Sequence, residues 1–261
     1  MYIWSLEEYD DPELYDIENT GIEELAFLRM WSDKLGIKDK PIVDLACGTG
    51  RITIPFTEQG YNLIGIDIHE GMLNQAKSKT PETMSIRWLH QDCLHMQVGV
   101  PVPLAYMVGH AFQHFLTNQH QNKFLQTLRN VLTKDGVFIF NTRFPSIEEL
   151  LQPSEEVFWK SITDSQNRRC DIYTKMFFDM IKQVQSYVTI RRFYENEKMI
   201  EEKETKIDLR YTFPQELERV LLMNGFKVLH IYDGWREKML SKDCYTMVVV
   251  CQKEQGYINY T

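Results

Sequence analysis

The chain of 261 residues carries 29 Lys and Arg against 37 Asp and Glu, a formal net charge of −8, and 43% hydrophobic residues. Acidity of that size repels a phosphate backbone at long range, which argues against nucleic acid as a partner, while the apolar fraction suffices for one large α/β core. The opening run "MYIWSLEEYDDPELYD" lacks a basic stretch followed by an apolar one, and no run approaches the ~18 apolar residues of a membrane span, so a cytoplasmic protein with no membrane partner is expected. In chain order, the aromatic and acidic N-terminus (Tyr2, Trp4, Tyr9, Tyr15) reads as either an ordered lid or a frayed tail. Short apolar, β-branched runs then predict strands over 42–45, 62–67, 86–90, 104–108 and 137–141, with helices over 51–59, 71–79 and 118–132 between them. Such alternation implies a parallel sheet with helices on both faces. Beyond Pro145 the pattern changes. Runs over 172–178, 184–194 and 199–211 are long, polar and β-prone, with breaks at "DSQN" and "ENEK", as in an antiparallel meander open on one face. A helix over 214–223, ended by Asn224-Gly225, and strands over 227–232 and 245–252 follow, the last two as an antiparallel hairpin on the sheet edge. Residues 1–146 and 207–261 are thereby expected to form the main domain, and 147–206 an antiparallel β insertion.

Chemistry concentrates in "PIVDLACGTGRITIPFTEQGYNLIGIDIHEGML", where Gly48 and Gly50 follow the first strand directly. Two missing side chains let the backbone turn tightly and let a ligand lie against bare peptide N–H groups. A dinucleotide fingerprint wants a third glycine three residues past Gly50, where Thr53 stands instead, and the slot two before Gly48 holds Ala46. Asp44 ends the strand ahead of the turn; its carboxylate repels a phosphate and attracts an ammonium or sulfonium, so a cationic nucleoside fits better than a pyrophosphate. About 20 residues on, Asp67 ends the second strand, where an acid accepts ribose hydroxyls. Asp92, in "HQDCL", is placed to accept from an adenine amino group.

On these residues the chain resembles, over nearly its whole length, the class I S-adenosylmethionine-dependent methyltransferases. "VDLACGTGR" resembles that family's first motif, "IGIDIHEGML" its ribose-binding strand end, "HQDCL" its adenine-binding turn and "LTKDGVFIF" the approach to its fifth strand. The resemblance implies a Rossmann-like seven-stranded sheet with helices on both faces plus the antiparallel insertion, S-adenosylmethionine as cofactor with S-adenosylhomocysteine as product, and no metal. It implies that Asp44, Ala46, Gly48 and Gly50 line the methionyl and ribose part, that Asp67 holds the ribose, and that Ile68 and Met72 flank the adenine. Gln91, Asp92 and Cys93 would close the adenine edge, and Tyr15, Cys47, Arg51, Gly109 and His110 complete the expected cofactor-binding set. "VGHAFQHFLTNQHQNKFL" is similar to a bacterial subgroup whose loop after the fourth strand faces the methyl group. In relatives with such an insertion, among them sugar N,N-dimethyltransferases, it serves substrate binding or dimerisation, so a small-molecule acceptor is expected and a homodimer stands among the readings. Pro103 departs from the family, which usually has an acid near the start of the fourth strand.

A sulfonium-bound methyl group needs a nucleophile held in line and water kept out, with no covalent enzyme intermediate. An amine must arrive deprotonated, whereas a hydroxyl needs a base; His114, His110 and Tyr15 are the catalytic candidates, and a His114 base would ionise near 6 to 7. His110 and His114 stand four apart and would share a helical face, but no third metal ligand is evident nearby. Cys47, Cys93, Cys170, Cys244 and Cys251 form an odd set without CxxC spacing and are read as free thiols. The Arg-Arg pairs at 168–169 and 191–192 read as a solvated face of the meander, or as contacts to an anionic substrate or a partner subunit. Two rival classes remain, an NAD(P)-dependent oxidoreductase and a non-catalytic cofactor-binding scaffold.

Overall fold

Five parallel strands, the inner ones buried on both faces, set the frame of the molecule, and the computed structural model describes residues 5–255 of it; Tyr2 and Trp4 lie outside the described residues. Strands β1 (Pro41–Leu45), β2 (Asn62–Asp67), β3 (Arg87–His90), β4 (Val102–Met107) and β5 (Leu132–Arg143) are mutually parallel. Strands β6 (Val157–Thr163), β7 (Arg169–Asp179), β8 (Val184–Glu195) and β9 (Lys198–Arg210) form a separate four-stranded antiparallel meander in that order. The chain then returns to the first sheet through β10 (Phe226–Asp233) and β11 (Thr246–Lys253), giving the seven-stranded order β10-β11-β5-β4-β1-β2-β3. The expected hairpin forms, with β11 antiparallel to both β10 and β5, so β11 is interior and β10 takes the edge.

Alternation along the central strands explains the two apolar layers. Phe138 and Phe140 of β5 and Met247, Val249 and Cys251 of β11 face one core, whereas Val137, Ile139, Val248 and Val250 face the other. The first layer is covered by α5 (Asn118–Val131) and α7 (Pro214–Met223), through residues such as Phe124, Leu128, Leu217 and Leu221. The second is covered by α2 (Glu24–Leu35) and α3 (Thr53–Glu58), through Leu28, Trp31 and Phe56. Helix α2 has no counterpart among the elements expected from the sequence. It ends at Gly36, whose φ of 64° supplies the left-handed cap that a side chain would resist. Helix α4 (Glu70–Lys79) packs beside β2 and β3, and the short α6 (Ile147–Leu150) leads into the meander.

The start of the described chain is ordered. A short 3-10 turn, Glu7–Tyr9, and helix α1 (Pro12–Glu18) lie across the meander, where Arg191 of β8 receives Glu8 at 2.5 Å and Glu18 at 2.7 Å. The expectation for 191–192 therefore divides. Arg191 is 4% exposed and clasps the N-terminal segment, while Arg192 is more open and pairs with Glu156 and Glu202.

Candidate active site

The turn between β1 and α3 is built from three residues in the left-handed region: Ala46 (φ 54°), Gly48 (φ 56°) and Gly50 (φ 77°). For Ala46 that conformation costs about 1–2 kcal/mol, which the surrounding contacts offset. The two glycines are required for different reasons. A Cβ on Gly50 would come within 2.8 Å of the Trp88 ring and 3.1 Å of Ile54, so this glycine admits packing behind the turn. A Cβ on Gly48 would meet only the Met72 methyl, at 3.3 Å, on the open side. The Gly48 N–H donates to Asp67 Oδ2 at 2.7 Å, and the His69 N–H donates to Asp67 Oδ1 at 2.8 Å. Burial pushes the Asp67 carboxyl upward, against the opposing pull of these N–H groups. His69 in turn caps α4, its Nδ1 accepting from the Met72 N–H at 3.2 Å.

These groups open into a small cavity at the carboxyl ends of β1, β2 and β4. Beside it lies a wider cleft, walled on one side by the meander (Trp159, Met176, Tyr187, Leu209) and on the other by the ends of β5 and β11. Tyr9, Tyr15, Gly109 and His114 line both spaces, so the cavity and the cleft meet at these four residues. Gly109 (φ 67°) and His110 (φ 60°) turn the chain out of β4 into the short 3-10 helix Ala111–His114, which delivers His114 to the junction. His114 Nε2 is hydrogen-bonded to the Tyr9 hydroxyl at 2.9 Å. The His110 N–H donates to Asn141 Oδ1 at 3.2 Å and its Nε2 meets Thr246 Oγ1 at 2.9 Å. Burial lowers His114 to about 4, and burial, with Arg143 and Arg51 nearby, lowers His110 to about 3. Both imidazoles are therefore neutral at neutral pH, which corrects the expectation that His114 ionises near 6 to 7. Burial raises the Tyr15 hydroxyl, against the pull of Arg51.

Residues 42–136 match a family model described as "Methyltransferase domain". The solved S-adenosylmethionine-dependent methyltransferase of Clostridium acetobutylicum superposes with a TM-score of 0.79 at 18% identity, over 93% of this chain and 97% of that one. The chain has the class I S-adenosylmethionine-dependent methyltransferase fold. A sugar N-methyltransferase of that fold, KedS8 from Streptoalloteichus, superposes with a TM-score of 0.74 at 13% identity, over 98% of this chain and 96% of that one. Curated relatives match over less. "Putative methyltransferase YqeM" of Bacillus subtilis is 47% identical over 51 residues, 20% of this chain and 21% of that protein, and the curated relatives matched are spanned by 21% to 61% of their lengths.

Within the methyltransferase fold, Ala46, Gly48, Asp67, Ile68 and Met72 line the smaller cavity, together with Asp92 and Cys93 at one end and Tyr15, Gly109 and His114 at the other. Asp92 already accepts the Leu94 N–H at 2.8 Å through Oδ1. The remaining predicted residues lie outside that lining. Asp44 is 1% exposed beneath the turn; its Oδ2 accepts the Thr53 hydroxyl at 2.6 Å, and burial pushes it up to about 7 against the pull of the Thr53 and Tyr106 hydroxyls. Cys47 and Gly50 face the packing behind the turn, and burial raises the Cys47 thiol. Gln91 turns to the backbone of Gln97, and Arg51 reaches the Glu24 carboxylate at 2.7 and 3.1 Å beside the wider cleft. His110 lines that cleft too.

Leu6, Tyr9, His69, Met107, Val108, Ala111 and Phe115 complete the cavity and were not anticipated. His69 had a local signal, since it stands where a helix cap belongs; Tyr9 had none, because its partner His114 is 105 residues away. Pro103 lies at the amino end of β4, opposite the cavity, at the point where the register with β5 shifts, as the missing N–H requires. Among the described residues no group of three or more His, Cys, Asp and Glu is arranged to hold a metal ion, and no helix is long and apolar enough to cross a membrane.

Proposed function

We propose that this protein transfers a methyl group from S-adenosylmethionine to a small-molecule acceptor, with the methyl donor in the smaller cavity and the acceptor in the wider cleft. The observation that carries this reading is the junction: two spaces of different character share Tyr9, Tyr15, Gly109 and His114. The chain fits the donor. Asp67 is fixed by two backbone N–H groups while still lining the cavity, which suits it to ribose hydroxyls, and Asp92 suits an adenine amino group. The turn offers bare backbone at Gly48, and the position of a third glycine is filled by Thr53, buried on Asp44. The missing third glycine counts against the nicotinamide alternative.

When bound, S-adenosylmethionine supplies a methyl group on a positive sulfur with a neutral leaving group. The chain's own work is then to position the acceptor and keep water out. Leu6, Tyr9 and Phe115 cover the cavity with apolar and aromatic surface. His114, neutral and held by Tyr9, is a hydrogen-bonding group for the acceptor and a weak base. This favours a nucleophile that arrives already deprotonated, an amine before an alcohol. The likeness to KedS8, a sugar N-methyltransferase, supports the same choice. The meander walls the cleft, which supports residues 147–206 as the part of the chain that meets the acceptor.

Calorimetry on the full chain tests the donor first. S-adenosylmethionine or S-adenosylhomocysteine should bind in the micromolar range and raise the melting temperature. Binding of NADH with no response to either ligand would overturn the reading. Release of S-adenosylhomocysteine with pooled amines and alcohols then identifies the acceptor.

A further inference from the structure

Among the described residues, one partly buried cation in the wider cleft makes no ion pair, although Glu149 favours its charge from farther away. Of the acids that line the cleft, Glu23 is exposed at the rim, Glu24 is met by Arg51, Glu8 and Glu18 by Arg191, and Asp233 by Lys238. Glu149 is met by phenols, its Oε2 accepting from Tyr211 at 2.8 Å and from Tyr187 at 3.4 Å. Arg143, at the end of β5, has none of these. No carboxylate among the described residues lies within ion-pair distance of its guanidinium, and its Nε is buried without a hydrogen-bond partner. The other cleft cation without an ion pair, Arg236, is exposed to water at the rim.

The fold nonetheless holds Arg143 in place. Its guanidinium lies over the Tyr187 ring at 4.8 Å and 6.0 Å from the Tyr245 ring. Its backbone N–H points to Gln113 Oε1 at 3.4 Å, and its strand partner is Thr246, the residue that hydrogen-bonds His110. Asn141, two residues earlier and so on the same face of β5, also lines the cleft and receives the His110 N–H. Arg143, Asn141 and His110 therefore stand in a row leading to the junction with the smaller cavity. A half-buried guanidinium with aromatic surfaces around it and free donors is suited to bidentate capture of an oxyanion.

We propose that Arg143 binds an anionic group of the acceptor, a carboxylate or a phosphate, and thereby sets which end of the acceptor points at the junction. This deepens the reading of the cleft as the acceptor site and rests on it. Arg143 is on this account a specificity-determining residue that touches substrate away from the reacting atoms.

The test uses the full chain saturated with S-adenosylhomocysteine and three probes of one shape, benzoate, phenyl phosphate and benzamide, read by calorimetry and thermal shift. One or both anions should bind and benzamide should not, and the tighter of the two anions assigns carboxylate or phosphate. Arg143→Gln should weaken the anion by about tenfold or more, the size of a charge-assisted hydrogen bond, and leave S-adenosylhomocysteine affinity within about twofold. Arg143→Lys, which keeps the charge and loses the fork, should fall between the two. Equal binding of benzamide and benzoate, no binding by either anion, or unchanged anion binding in Arg143→Gln would overturn the proposal. If S-adenosylhomocysteine does not bind, the methyl-transfer reading fails separately. The anion-against-amide difference is then measured on the free chain, where the same outcomes support or overturn the role of Arg143.

Discussion

The smaller cavity and the wider cleft share four residues but are held together by different means. The cavity is a product of backbone geometry: three left-handed residues in a five-residue turn, an acid at the end of the neighbouring strand, and the N–H groups between them. Its central contacts join residues within one βαβ unit. The cleft is a product of side chains brought from far apart, with Arg191 reaching Glu8 and Glu18 across 183 and 173 residues and Tyr211 reaching Glu149 across 62. The contrast teaches that the cavity depends on a turn that tolerates little change, while the cleft is framed by side-chain pairs joined from far apart in the chain.

The sharpest way to break that contrast is Arg191→Met. It leaves Glu8 and Glu18 without the guanidinium they surround, and should cost about 3 kcal/mol in urea unfolding, with faster amide exchange over Leu6 to Glu18. A loss below about 0.5 kcal/mol would place the clasp among ordinary surface pairs. Next in size is Asp67→Ala on the other side. Removing the carboxylate should weaken S-adenosylhomocysteine binding by about 1.5–3 kcal/mol in calorimetry, since charge-assisted hydrogen bonds are lost. Unchanged affinity would mean that Asp67 only braces Gly48 and His69.

His114→Ala acts at the shared wall and should separate the two halves. Cofactor affinity should hold, while KM for the acceptor rises about tenfold with the pH profile between 6 and 8 unaltered, as a positioning role requires. A loss of about 10²-fold or more in kcat with a flattened acid limb would restore the general-base reading. A separate effect, read in stability and not in binding, concerns Asp44. Its folded pKa is raised, to about 7, so the stability it contributes is present below the unfolded value near 4 and is lost as pH rises through 7. Asp44→Asn stays neutral and can still accept from Thr53. The variant's melting temperature relative to the parent should therefore improve between pH 5 and pH 8. A difference that does not change with pH would mean that the carboxyl does not titrate in that window.

Legibility in the sequence follows the same division. The inner strands of the central sheet announce themselves as apolar runs because both faces are buried, and the glycines and strand-end acids of the cavity sit at local spacings that their backbone duties dictate. Helix α7 falls on the residues expected of it, with Pro214 at its first turn. Strand β6, with alternate residues exposed and an irregular register against β7, has no comparable signature. Asp44 shows the limit of motif reasoning. Its position next to the turn was legible, but not that its side chain points down onto Thr53. Tyr9 beside His114, and Arg143 between Tyr187 and Tyr245, depend on how the meander and the N-terminal segment fold back over the sheet, which no local pattern encodes.

Trp88 lies where a Cβ on Gly50 would stand 2.8 Å from its ring and one on Gly65 2.4 Å from it, so the indole spans the ligand turn and the strand behind it at once. The chain thus carries an optical gauge next to its own binding turn. The indole packs against that turn, so a ligand that moves the turn should change its emission without a label.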